Sequence, residues 1–244
     1  MEFLVVLVVT VIMASLFSDK IKNNGKALYL AAGIISIIGI IIDISVAAGF
    51  KASGFLLQLE NGIDYVNNGM LATALFITVM YIGALNGKSK FVENLLKIRA
   101  ELSIIACILL AGHIFSFTRI LLGDLSSITD LESPGVIIRI ITMICAFIAV
   151  FICIPLFVTS FKNIRNKMDA KKWKRLQSLA YIFYALIYLH IMTVLFIQSR
   201  EHNTVPEIVL YSAIFISYSV LRIRKNRLKN ETNCSESRNN KKVI

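Results

Sequence analysis

WKRLQSLAYIFYALIYLHIMTVLFI, Trp173–Ile197, is the stretch that decides the reading of this chain. Lys174 and Arg175 stand at its start, and a long apolar run follows with a single histidine, His190, inside it. A hydrocarbon core about 30 Å thick demands about 20 apolar residues of a spanning helix, and this run supplies them. The composition recurs upstream in ELSIIACILLAGHIFSFTRILLGD, Glu101–Asp124, which carries His113. The whole chain follows suit: of 244 residues, 57% are hydrophobic and only 17% charged, with a mean hydropathy of +0.72. The fold class these patterns give is all-α, a polytopic membrane helix bundle of about seven transmembrane helices.

The expected spans are Phe3–Phe17, Ala27–Phe50, Gly69–Leu85, Glu101–Gly123, Gly135–Ser160, Leu176–Gln198 and Ile208–Leu221. Lys20, Lys22 and Lys26 follow the first run and only Met-Glu precedes it, whereas a signal peptide puts its positive charge first. The segments after the third and fifth spans are strongly basic, with Lys88, Lys90, Lys97 and Arg99 in one and Lys162, Arg165, Lys171 and Lys172 in the other. The alternate segments are near neutral or acidic, holding Lys51, Glu60 and Asp64, then Asp124, Asp130 and Glu132. Basic segments stay inside, so the expected orientation is N-terminus outside and C-terminus inside. The formal charge of +11 is then a topology signal, and no nucleic-acid partner is expected. Residues 1–26 read as an extra N-terminal helix with its basic loop, 27–223 as the main bundle, and 224–244 as a basic, polar cytoplasmic tail. From Arg222 onward the composition is too polar to fold alone. Cys107, Cys145, Cys153 and Cys234 show no metal or redox spacing such as C-x-x-C, and read as small packing residues.

The chain has three histidines, and two of them lie inside spans. His113 stands twelve residues from Glu101 and His190 fourteen from Leu176, depths of about 18 and 21 Å from the inner ends of their helices. Neutral imidazole is a good iron ligand, and two histidines at matched depth on two helices are the pattern of a bis-histidine haem. The alternative is that each imidazole hydrogen-bonds a neighbouring helix. Gly112, Ala111 and Ser116 keep the helix slim beside His113, as a flat macrocycle requires. Arg119 and Arg139 fall in the outer halves of their spans and are suited to haem propionates. Against this, the arginines snorkel to the interface and Asp43 pairs with one of them.

The region from about Arg99 to Phe196 resembles the ferric reductase-like transmembrane domain, most closely the haem-binding membrane subunit of the bacterial periplasmic methionine sulfoxide reductase system. Three features carry the resemblance: a basic residue before the one-histidine span (Arg99 to His113), the ending PLFVTS (Pro155–Ser160), and the run WKRLQSLAYIFYALIYLH (Trp173–His190). The family core has six helices, so one span here is additional. The resemblance implies haem b on His113 and His190. Where the family places a further, inner histidine thirteen residues before His190, this chain has Gln177, so one haem rather than two is implied.

The expected function is a membrane b-type cytochrome-like electron carrier. Electrons pass from a quinol or flavin donor, with quinone or FMN docking near Arg99, Trp173 and Gln177, to an acceptor protein or ferric iron outside. No dinucleotide fingerprint or P-loop occurs, so a nicotinamide or flavin dehydrogenase is expected as a separate protein. The rival readings are a haem-free scaffold or assembly subunit and a small transporter lined by Asp43, Arg119 and Arg139. A helix broken by Gly or Pro at the midplane is the mark of the transporter, and the sequence pattern reveals none. The expected location is the bacterial plasma membrane.

Overall fold

A computed structural model describes residues 2–50, 53–85, 89–125, 134–200 and 202–242. Lys51, Lys88, Asp130 and Glu132, which entered the charge argument, lie outside the described residues. The described chain is all-helical: α1 Glu2–Leu16, α2 Ser18–Asn23, α3 Gly25–Ala47, α4 Phe55–Asn67, α5 Met70–Ala84, α6 Lys90–Lys97, α7 Arg99–Leu125, α8 Pro134–Ser160, α9 Lys162–Arg165, α10 Ala170–Gln177, α11 Ala180–Gln198 and α12 Val205–Lys242.

Five stretches are long and apolar enough to cross a membrane: Gly25–Ala47, Arg99–Arg119, Val136–Ser160, Ala170–Gln198 and Val205–Leu228. The pair Leu57–Asn67 and Met70–Ala84, bent by 42°, makes a sixth if it is one span. The first expected span is apolar, but its 15 residues reach only about 22 Å. Five or six long apolar helices suit a multi-pass membrane protein.

Helix α5 is the centre of the bundle. Residues Ala72 and Ala74–Met80 are all buried, as befits a helix that is apolar on every side. It packs against α7, α1 and α12, while α11 packs mainly on α8 and α3 on α7. The outward faces are apolar too: Leu30, Ile34, Ile37, Ile41 and Ile44 on α3, and Ile137, Ile144, Phe147, Phe151 and Ile154 on α8, are exposed. Contiguous apolar surface on this scale belongs in contact with lipid, not water.

Small residues let α3, α4 and α7 approach. Ser36 Oγ donates to the Ile108 carbonyl at 3.0 Å, and Asn67 Nδ2 donates to the Gly39 carbonyl at 3.1 Å. A Cβ on Gly39 would collide with Asn67 Oδ1. Gly112 faces this same seam, with Asn67, Val66 and Ser36 around it, and Ala111 is exposed. The slim surface near His113 therefore serves helix packing rather than room for a macrocycle.

Three connecting segments fold into helices that the charge pattern did not reveal. Residues expected as an outer loop form α4, which turns Ile63 and Val66 inward. Within the basic segment after α5, Ser89 caps α6 by accepting from the Val92 N–H, and Val92, Leu95 and Ile98 are buried. Asp169 caps α10, accepting from the N–H groups of Lys171 and Lys172, both at 3.0 Å. The tail from Arg222 also stays helical, to Lys242. Once an apolar span has nucleated a helix, each further residue need only propagate it. Near the start of that extension, Arg222 donates to the Gly83 carbonyl (2.8 Å) and Lys225 to the carbonyls of Gly83 (3.1 Å) and Leu85 (2.8 Å). Two cations thus cap the negative end of α5.

Candidate functional site

A broken helix builds the first half of the site. Between α4 and α5, Gly69 adopts φ +76°, a conformation glycine enters without steric cost. The break leaves the Asn67 carbonyl at a helix end, where acceptors lack intrahelical partners. His113 on α7 fills that vacancy, its Nδ1 lying 3.0 Å from the Asn67 oxygen. A carbonyl only accepts, so Nδ1 carries the proton and Nε2 keeps a free lone pair. The ring lies hard against the break: a Cβ on Gly69 would stand 3.0 Å from His113 Cγ and Nδ1.

The second half comes from α8 and α11. His190 Nδ1 lies 3.2 Å from the Thr142 carbonyl of α8, which fixes the same tautomer. The two imidazoles meet edge-on, with ring centroids 6.2 Å apart and planes at 78°. Phe117, one turn beyond His113, completes a triangle, 6.3 Å from His113 and 6.1 Å from His190. All three rings line a cavity of about 760 Å³, with Gly69, Thr73 and Leu110 among its walls and Glu2 and Glu207 also lining it. That volume lies within the range of about 300–1,000 Å³ usual for small-molecule sites.

Does this geometry fit a haem? Among the described residues, no three His, Cys, Asp or Glu side chains gather as a metal-binding group. A macrocycle brings four nitrogens of its own and asks the protein for only two. Metal–nitrogen bonds are about 2 Å, so two imidazoles that would share one metal would stand about 6 Å apart by ring centroid. The observed separation matches. Ligating histidines also hold their second ring N–H on a carbonyl or carboxylate, as both do here. The spacing of the imidazoles and their tied Nδ1 atoms suit a pair of ligands, whereas Phe117, about 6 Å from both rings, stands beside the gap between them.

The other expected site residues are elsewhere. Arg119 is committed to Asp43, Nε to Oδ2 at 2.6 Å and Nη2 to Oδ1 at 2.7 Å, a bidentate pair joining α7 to α3. Arg139 is exposed on α8, and neither arginine lines the histidine cavity. The third histidine, His202, is exposed.

A second cavity, of about 650 Å³, opens at the end where the basic segments gather. Lys22, Lys26, Lys97, Arg99, Lys162 and Arg165 line it, and Lys22 is paired with Glu101 at 2.7 Å. Thr159 is its hub. Its carbonyl accepts from Trp173 Nε1 at 3.3 Å, its Oγ1 accepts from Gln177 Nε2 at 3.1 Å, and its Oγ1 donates to the Pro155 carbonyl at 2.6 Å. The PLFVTS ending and the start of the Trp173 run, joined by a short basic segment, thus meet side by side. Phe76 and Phe183 line both cavities and pack edge-to-face at 5.0 Å, so this aromatic pair is the partition between them.

The chain is 31% identical over 240 residues to an uncharacterized protein of Treponema pallidum (strain Nichols). The match takes in 96% of this chain but 63% of that protein, so this chain spans less than two thirds of its relative's length. No family model matches, and no solved structure matches.

Both histidines stand out in the sequence, whereas the carbonyls that orient them, the Gly69 break and Phe117 do not. Gly69 alone carried a signal, since a glycine following two asparagines is a helix terminator.

Proposed function

We propose that this chain is a membrane b-type cytochrome-like electron carrier related to the ferric reductase-like transmembrane proteins, holding one haem b between His113 and His190. The observation that carries the proposal is the approach of those two rings to 6.2 Å with both Nδ1 atoms tied to backbone carbonyls. A haem bound there supplies a one-electron couple. The protein's part is to present two Nε2 lone pairs, to fix their tautomer through Asn67 and Thr142, and to exclude water with Phe117 and the aromatic partition. The donor, a quinol or a flavin, docks in the basic-end cavity, where Gln177 keeps a second amide N–H, Arg99 offers positive charge and Trp173 an aromatic face. The acceptor, a separate protein or ferric iron, meets the chain at the histidine end.

In this reading the chain crosses a bacterial plasma membrane seven times, with α1 as an additional short crossing, the N-terminus outside and the C-terminus inside. Two features support the orientation. Basic residues of α2, α6 and α9 collect around the cavity at one end, whereas Glu2 and Glu207 line the cavity toward the other.

Absorption spectra of purified protein from haem-replete cells test the reading. A reduced b-type band is expected in the wild type, lost in His113→Ala and in His190→Ala. A wild-type protein without haem would refute the cytochrome.

The Gly69 break favours a second reading, a small transporter, because discontinuous helices build midplane binding sites in transporters. The same spectra separate the two, since a transporter has no use for the band.

A further inference from the structure

Cys107 and Cys153 are 46 residues apart in sequence and lie on different helices, α7 and α8, yet their sulfurs are 3.3 Å apart. Both line the basic-end cavity, beside Thr159 and Gln177. Cys153 is buried, Cys107 is partly buried, and both are free thiols; Cys145, also buried, is absent from the cavity lining. A disulfide needs its sulfurs at about 2.05 Å, so closure asks for an approach of little more than an ångström between two facing side chains. Two free thiols in contact at the wall of an open cavity form an addressable pair, unlike a cysteine packed alone in a core.

From this geometry we infer that Cys107 and Cys153 are a redox-active dithiol, oxidised to a disulfide by a para-quinone bound in the basic-end cavity. The reaction balances without another reagent. Two S–H bonds break and one S–S bond forms, and the two electrons and two protons released convert the quinone to its hydroquinone. The cavity suits that oxidant: it is framed by Phe76, Tyr184 and Trp173, and Gln177, which gives one amide N–H to Thr159, keeps its second for a ring oxygen. The pair stands on the cavity side of the Phe76–Phe183 partition and offers two-electron storage where this chain has glutamine. The inference rests on quinone occupancy of that cavity, as proposed above, and not on the haem.

The test uses the full chain in lipid nanodiscs, reduced with a phosphine, freed of reductant and mixed with a short-chain benzoquinone whose ring is fully substituted, so that thiols cannot add to it. Remaining thiols are blocked with a maleimide, and the protein is digested for mass spectrometry. The expected result is a peptide joined through Cys107 and Cys153, with about one hydroquinone formed per disulfide. Cys145→Ser leaves the yield unchanged, and Cys107→Ser or Cys153→Ser abolishes it. The thermal midpoint of each variant, compared with wild type, shows that it is folded. Full alkylation of both thiols after quinone treatment would overturn the inference. So would closure by diamide but not by the quinone, since the pair would then be bridgeable without being coupled to that oxidant. The haem band, read from the same samples, reports on the cytochrome separately, so failure of one reading is distinct from failure of the other.

Discussion

Gly69 is under two constraints at once. Its backbone is left-handed, and the space where a Cβ would go belongs to the His113 ring. Gly69→Ala is therefore expected to cost about 1–2 kcal/mol from the backbone alone and to push His113 from the Asn67 carbonyl. Thermal unfolding and the haem band together check it: the midpoint falls and the band weakens or shifts. Gly62→Ala, on the same bent pair with open space around it, is the control; helix propensity makes it neutral or stabilising there. If both variants behave alike, the strain at Gly69 is not what the geometry says. The histidines themselves were legible in the sequence because a polar side chain in an apolar helix is conspicuous. Their orienting partners were not, because a backbone carbonyl has no letter of its own.

At the scale of helices, the bidentate Asp43–Arg119 pair bolts α3 to α7. Asp43→Asn and Arg119→Gln are each expected to lower the thermal midpoint, and the double variant to lower it no further than the worse single one. Additive losses would mean that the two side chains act independently. The haem band persists in Arg119→Gln if the arginine serves α3 rather than a propionate; its loss would restore the propionate role. Long apolar helices were readable from composition, because their periodicity is set by the bilayer rather than by neighbours. Helices α4 and α6 were not, since each is short, interrupted by charged residues and buried only at spaced positions such as Ile63 and Val66 or Val92 and Leu95. The contact of Cys107 with Cys153 was equally hidden, because it depends on how α7 and α8 lie against each other.

For the molecule as a whole, the gathering of basic residues at one end makes a prediction about insertion. A reporter active only in the cytoplasm, fused after Ile244, is expected to be active, and one active only outside the membrane is expected to be silent. The reverse pattern would overturn the orientation. The partition formed by Phe76 and Phe183 then has a consequence for what crosses the membrane. Neither side chain has a donor or acceptor, so a proton cannot be handed from one cavity to the other through this wall. Quinol chemistry at the basic end would leave its protons on that side, while the electron passing the rings would travel unaccompanied. Each turnover would therefore separate charge across part of the bilayer, and the rate would respond to the membrane voltage.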